Sequence, residues 1–128
     1  MGDWVMTEQP INYDAIATTY AQTRSAVPWV VEILKKYMTG LPAGSVIIEL
    51  GCGTGNHSRA LAEALPQHHY AGFDQSIEML RQARALTSKV IFAQGDAQWR
   101  WPYSDGYADL VFNVDVIHYI ENLPIFFA

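Results

Sequence analysis

Cysteine is almost absent from this chain. Cys52 is the only one among 128 residues, so neither an intrachain disulfide nor a cysteine zinc site can form, and a reducing compartment suits the protein. Basic residues are also few. Eight Lys and Arg face thirteen Asp and Glu, a net charge of −5, which lacks the basic face that a nucleic-acid backbone calls for. No apolar run reaches the roughly 18–20 residues of a membrane span. The N-terminus lacks the basic-then-apolar layout of a secretory signal. Repeats, linkers and low-complexity stretches are missing too. What remains is the expectation of a cytoplasmic, single-domain protein over residues 1–128, with no nucleic acid and no membrane among its partners. Its apolar content of 50% is ordinary for a domain with one core.

What is present alternates between two periodicities. Residues 1–12 are polar. Tyr13, Ile16, Ala17 and Tyr20 share one face at helical spacing, and a second helix is expected from Pro28, with Val30, Ile33, Leu34 and Tyr37 as its buried stripe. Residues 13–40 thus read as N-terminal helices and 45–120 as the core of the domain. Strand one, Ser45 to Leu50, is continuously apolar up to its Glu49-Leu50 end, as in a strand covered on both faces. A helix from Asn56 to Leu65 is closed by Pro66, and a strand from His68 to Phe73 ends at Asp74. Ser76 is the expected N-cap of a helix that turns Met79, Leu80, Ala83 and Leu86 inward. Strands at 89–94 and 109–114 complete the pattern. Such alternation specifies an α/β fold with a parallel sheet and right-handed crossovers.

Directly after Val46-Ile47-Ile48 the chain reads Glu49-Leu50-Gly51-Cys52-Gly53-Thr54-Gly55. Glycine at every second position lets a strand turn sharply into a helix and lets a ligand touch the backbone. Without such a need, each costs about 0.5–1 kcal/mol. The spacing is G-x-G-x-G; Asn56 stands where a dinucleotide fingerprint would continue toward its last glycine. Asp74 lies nineteen residues past Gly55 at a strand end, where a doubly wound fold places an acceptor with two oxygens for a ribose diol. The simpler role for Asp74 is a helix cap or a solvated acid. Asp96-Ala97 ends strand three, where a carboxylate and the following N–H can read the edge of adenine; alone, Asp96 would be an ordinary loop residue.

Together, Glu49 to Gly55, Gly72-Phe73-Asp74-Gln75-Ser76 with Met79-Leu80, Gly95-Asp96-Ala97, and Asp109-Leu110-Val111-Phe112 with Ile117-His118 resemble the class I S-adenosylmethionine-dependent methyltransferases. The likeness is greatest to the small-molecule branch with a methyltransferase domain of type 11 or 25. Tyr13 to Arg24 is similar to that branch's N-terminal helix. The resemblance implies a Rossmann-like sheet of order 3-2-1-4, incomplete beside the seven strands usual in the family. It implies that Gly51, Cys52, Gly53 and Gly55 line the methionine part of S-adenosylmethionine, with Glu49 supporting its cationic amino end. Asp74 would hold the ribose, Gln75 and Met79 would flank the adenine, and Asp96 and Ala97 would read its edge. Asn113 and Val114 would offer backbone contacts, while Tyr20 and Arg24 would close over the site, Arg24 toward the cofactor carboxylate.

Methyl transfer from a sulfonium needs alignment and desolvation more than an acid–base set. His118 is the candidate to orient or deprotonate a small-molecule acceptor, and in Ile117-His118-Tyr119-Ile120 it also reads as a packing residue. Adjacent His68 and His69 point to opposite faces and make a poor metal pair. The aromatic segment Trp99-Arg100-Trp101-Pro102-Tyr103 either lines an acceptor pocket or covers the sheet edge. A sheet ending at strand four leaves an apolar parallel edge, and a homodimer through that edge and Leu123 to Phe127 is expected. The alternative function is a non-catalytic module that holds S-adenosylmethionine or S-adenosylhomocysteine without a complete acceptor site. A nicotinamide-dependent oxidoreductase is disfavoured by Asn56 and Glu49.

Overall fold

The structure is a computed structural model, and it describes residues 25–96 and 101–114. The expected helix at 13–24, Ala97 and everything after Val114 fall outside the described residues. Helix α1 spans Pro28–Met38. Strand β1 spans Val46–Leu50, α2 Asn56–Ala64, β2 His69–Asp74, α3 Ile77–Leu86, β3 Val90–Gln94 and β4 Leu110–Phe112. The strands form one parallel sheet in the order β3-β2-β1-β4, as the resemblance implied.

Alternate residues of the strands feed two apolar layers. Ile47, Tyr70, Val90, Phe92 and Phe112 turn one way and pack with Met38 of α1, Leu61 and Ala62 of α2, and Leu80 and Ala83 of α3. Ile48, Leu50, Ala71 and Phe73 turn the other way. No described helix covers this second face. Trp101, Tyr103 and Ala108 pack against it instead, with the Phe73 ring centroid 5.7 Å from that of Trp101 and 5.6 Å from that of Tyr103. Trp101 and Tyr103, the described aromatic residues of that segment, therefore cover a face of the sheet, because Phe73 offers them a large ring at the end of β2.

Local chemistry accounts for the helix ends. Pro28 occupies the first turn of α1, where an amide hydrogen has no helical partner anyway. Ser76 caps α3 as expected, its Oγ accepting from the Met79 N–H at 3.2 Å. One expected stripe is rotated, and another holds except at its last residue. Ile33 is 43% exposed and Tyr37 72%, whereas Val31, Leu34 and Met38 face the core. α1 is apolar on more than one side, so its contact with the sheet selects the inner face. Leu86 is likewise 43% exposed, lying in the last turn of α3 beyond the reach of β3.

Candidate functional site

Parallel strands bring their C-terminal ends to one edge of the sheet, and the candidate residues arrive there together. Glu49 is the penultimate residue of β1, Asp74 closes β2, Asp96 follows β3, and Asn113 and Val114 follow β4. The glycine loop leaves β1 between its two neighbours β2 and β4, the crevice where open α/β sheets hold ligands. Tyr20, Arg24, Ala97 and His118 lie outside the described residues.

The loop is built by backbone hydrogen bonds. The Cys52 N–H donates to Phe73 O at 3.1 Å, extending the β1–β2 pairing by one step, and the Gly55 N–H donates to Cys52 O at 2.8 Å. Gly55 adopts φ +73°, and a Cβ there would lie 2.7 Å from Phe92 Cζ. Glycine is thus required twice over, by the left-handed backbone and by the ring. Gly72 shows the reciprocal constraint, since a Cβ on it would sit 3.0 Å from both Cβ and Sγ of Cys52. Cys52 is buried, and burial pushes its thiol well above the ordinary value, with Glu49 and Asp74 adding to the rise. It is packing beneath the loop rather than a nucleophile.

Asp74 does more than its place in the motif suggested. Its Oδ2 accepts from the Gly53 N–H at 2.8 Å and its Oδ1 from the Ser76 N–H at 2.9 Å. The carboxylate therefore ties the glycine loop to the start of α3. Gln75 is exposed beside it, and its carbonyl accepts from Gln94 Nε2 at 3.2 Å. Met79 faces inward, as the α3 stripe led one to expect, at 1% exposure.

Glu49 is 3% exposed, and its Oε1 accepts from Ser58 Oγ at 2.6 Å. Burial raises its carboxyl to about 8, the Ser58 hydroxyl and N–H pull it down, and Asp74 pushes it up. Ser58 was not legible as a site residue. Its only signal was its place in the first turn after the loop, where a side chain can point back at the strand end. Thr54 Oγ1 is buried and has no hydrogen-bond partner among the described residues. The site thus offers two carboxyl groups and a bare glycine backbone, which suits a ligand that brings hydroxyl and ammonium donors rather than a phosphate. S-adenosylmethionine, with its diol and cationic amino end, fits that set.

Residues 47–128 match the family described as a methyltransferase domain. The chain belongs to this family, the class I S-adenosylmethionine-dependent methyltransferases. Among its relatives, a Schizosaccharomyces pombe tRNA (carboxymethyluridine(34)-5-O)-methyltransferase is 31% identical over 110 residues, covering 86% of this chain and 43% of the relative. A trans-aconitate 2-methyltransferase of Azoarcus sp. is 35% identical over 82 residues, covering 64% and 32%. A malonyl-[acyl-carrier protein] O-methyltransferase of Legionella pneumophila is 38% identical over 84 residues, covering 63% and 29%. This methyltransferase domain therefore spans less than half the length of these relatives. An S-adenosylmethionine-dependent methyltransferase structure from Mesorhizobium loti superposes with TM-score 0.61 at 26% identity, covering 84% of this chain and 47% of that one. Haemonchus contortus phosphoethanolamine N-methyltransferase 2 in complex with S-adenosyl-L-methionine shares the fold, with TM-score 0.72 at 20% identity over 98% of this chain and 31% of the other.

Proposed function

We propose that residues 45–114 form the cofactor-binding half of a methyltransferase that acts on a small-molecule acceptor. The observation that carries this reading is the convergence of Glu49, the glycine loop and Asp74 at one crevice, with acceptor groups where the cofactor would bring donors. When bound, S-adenosylmethionine supplies a sulfonium methyl group that a nucleophile can displace. In this reading Gly51, Gly53 and Gly55 let the backbone lie against the methionine part, and Glu49 meets its amino end. Asp74 accepts from the ribose hydroxyls while holding the Gly53 and Ser76 N–H groups. Gln75, Asp96 and Ala97 are placed at the adenine, and Asn113 and Val114 at the β4 wall. Tyr20 and Arg24 are assigned to close the site. His118 is assigned to the acceptor, which it would orient or deprotonate.

A net charge of −5 favours a small acceptor over a polyanion. One relative is nevertheless named for tRNA, so the case against a nucleic-acid acceptor rests on this chain's charge alone. No helix among the described residues is long and apolar enough to cross a membrane, and the single buried cysteine supports a reducing, cytoplasmic setting. β4 is the outer strand of the described sheet and pairs only with β1 there; association with a second copy is the expectation that sedimentation would test.

Calorimetric titration with S-adenosylhomocysteine and with NAD tests the proposal. The expected result is binding of the first and none of the second. Asp74→Ala should weaken S-adenosylhomocysteine more than tenfold, since a lost hydrogen bond to a charged group is worth about 1.5–3 kcal/mol. Unchanged affinity in a folded Asp74→Ala protein removes the ribose assignment.

A further inference from the structure

Glu49 is a buried carboxyl with no cation to answer it among the described residues. Its β1 position turns it toward α2, where Ser58 Oγ donates to it at 2.6 Å. The other ionisable groups around it are Asp74 at the end of β2, which disfavours its charge, and the Cys52 thiol of the loop. The nearby arginines are committed elsewhere. Arg59 of α2 donates to Asn56 Oδ1 at 3.1 Å, and Arg84 of α3 donates to the Phe92 carbonyl at 2.8 Å. His57, beside Ser58, accepts from the Val27 N–H at 3.1 Å through Nε2. The ion pairs Lys35–Glu32 and Arg81–Glu78 lie on helices and involve other acids.

Resting on the methyltransferase reading, we infer that the cofactor's ammonium group expels a proton from Glu49 as it binds, with Ser58 as the residue that positions this carboxyl. The balance is simple. Neutral Glu49 and the ammonium of the free cofactor become a carboxylate paired with that ammonium, and one proton passes to the buffer; no covalent bond changes. Burial holds the unliganded carboxyl near 8, so at neutral pH the empty site is mostly protonated. A cation arriving beside it supplies the compensation that the described residues do not. Ser58 donates to the carboxyl and favours its charged form, so it lowers the pH at which the exchange occurs. Cofactor affinity is therefore tied to pH by the protein itself.

Calorimetry on the full chain at neutral pH, in buffers of different ionisation enthalpy, counts the released protons. Wild type should release close to one proton per S-adenosylhomocysteine, and affinity should fall about tenfold between roughly pH 7 and pH 6. Methylthioadenosine, which lacks the amino-acid end, should bind without releasing a proton. Glu49→Gln should release none with either ligand. Ser58→Ala should move the midpoint of the affinity profile to higher pH, a displacement that a purely structural serine would not produce. Binding of S-adenosylhomocysteine without proton release overturns this inference and leaves the methyltransferase reading standing. Equal release with methylthioadenosine places the titration elsewhere and also overturns it. Absence of S-adenosylhomocysteine binding at any pH overturns the reading on which the inference rests. Should Glu49→Gln fail to fold, the Ser58→Ala profile and the methylthioadenosine comparison on wild type decide the matter.

Discussion

Gly55→Ala puts a methyl group where the loop has no room for it. Two costs are separable. The residue adopts φ +73°, a left-handed conformation that costs an L-residue with a Cβ roughly 1–2 kcal/mol. The new Cβ would also stand 2.7 and 2.8 Å from Cζ and Cε1 of Phe92. That ring is 6% exposed, so it has little freedom to swing aside. Overpacking of this kind costs about 1–3 kcal/mol. The sum, about 2–5 kcal/mol, is a large share of a typical domain stability of roughly 5–15 kcal/mol. Urea unfolding of wild type, Gly55→Ala, Phe92→Leu and the double variant resolves the two parts. Phe92→Leu removes the obstructing ring atoms, so the double variant should be more stable than the summed single effects by about 1 kcal/mol or more. What survives in that background is the backbone cost. Additivity within about 0.5 kcal/mol would refute the steric argument, and an unchanged midpoint for Gly55→Ala alone would refute both parts.

Two further predictions concern buried polar groups. Tyr103 Oη is buried without a partner, and an unsatisfied buried hydroxyl costs about 1–3 kcal/mol; Tyr103→Phe should leave thermal stability unchanged or raise it, and a clear loss would show that the hydroxyl is satisfied. Glu49 has a folded value of about 8 against its usual 4.5, so the native chain holds this proton more tightly than the unfolded chain does. Its contribution is complete below about pH 4.5, declines as pH rises, and is lost through about pH 8, with a slope of up to roughly 1.4 kcal/mol per pH unit. Glu49→Gln should flatten that decline in denaturant titrations run across the window, and an identical pH profile for the two proteins would count against a neutral Glu49.

Several features were legible because short-range chemistry dictates them. Glycines at 51, 53 and 55 after an apolar run announced a strand-to-helix turn, and the structure gives all three a positive φ. Ser76 before Ile77 announced a cap, and its hydroxyl caps. Asp74 was legible as an acid at a strand end, but its grip on the Gly53 N–H was not, because that bond joins residues 21 apart. The inner face of α1 was misread for a similar reason. Val30, Val31, Ile33 and Leu34 all satisfy an apolar stripe, and only contact with the sheet chooses among them.

By itself the sequence determined the order of strands and helices, the glycine turn and the acids at the strand ends. Those follow from backbone sterics, capping and periodicity, which act within a few residues. Tertiary structure alone decided that Ser58 would meet Glu49, that Phe92 would leave Gly55 no space, and that Trp101 and Tyr103 would cover the second face of the sheet. Each depends on side chains that meet only once parallel pairing has brought distant segments into register, and the burial that results is what lifts the Glu49 carboxyl above the ordinary carboxylate range.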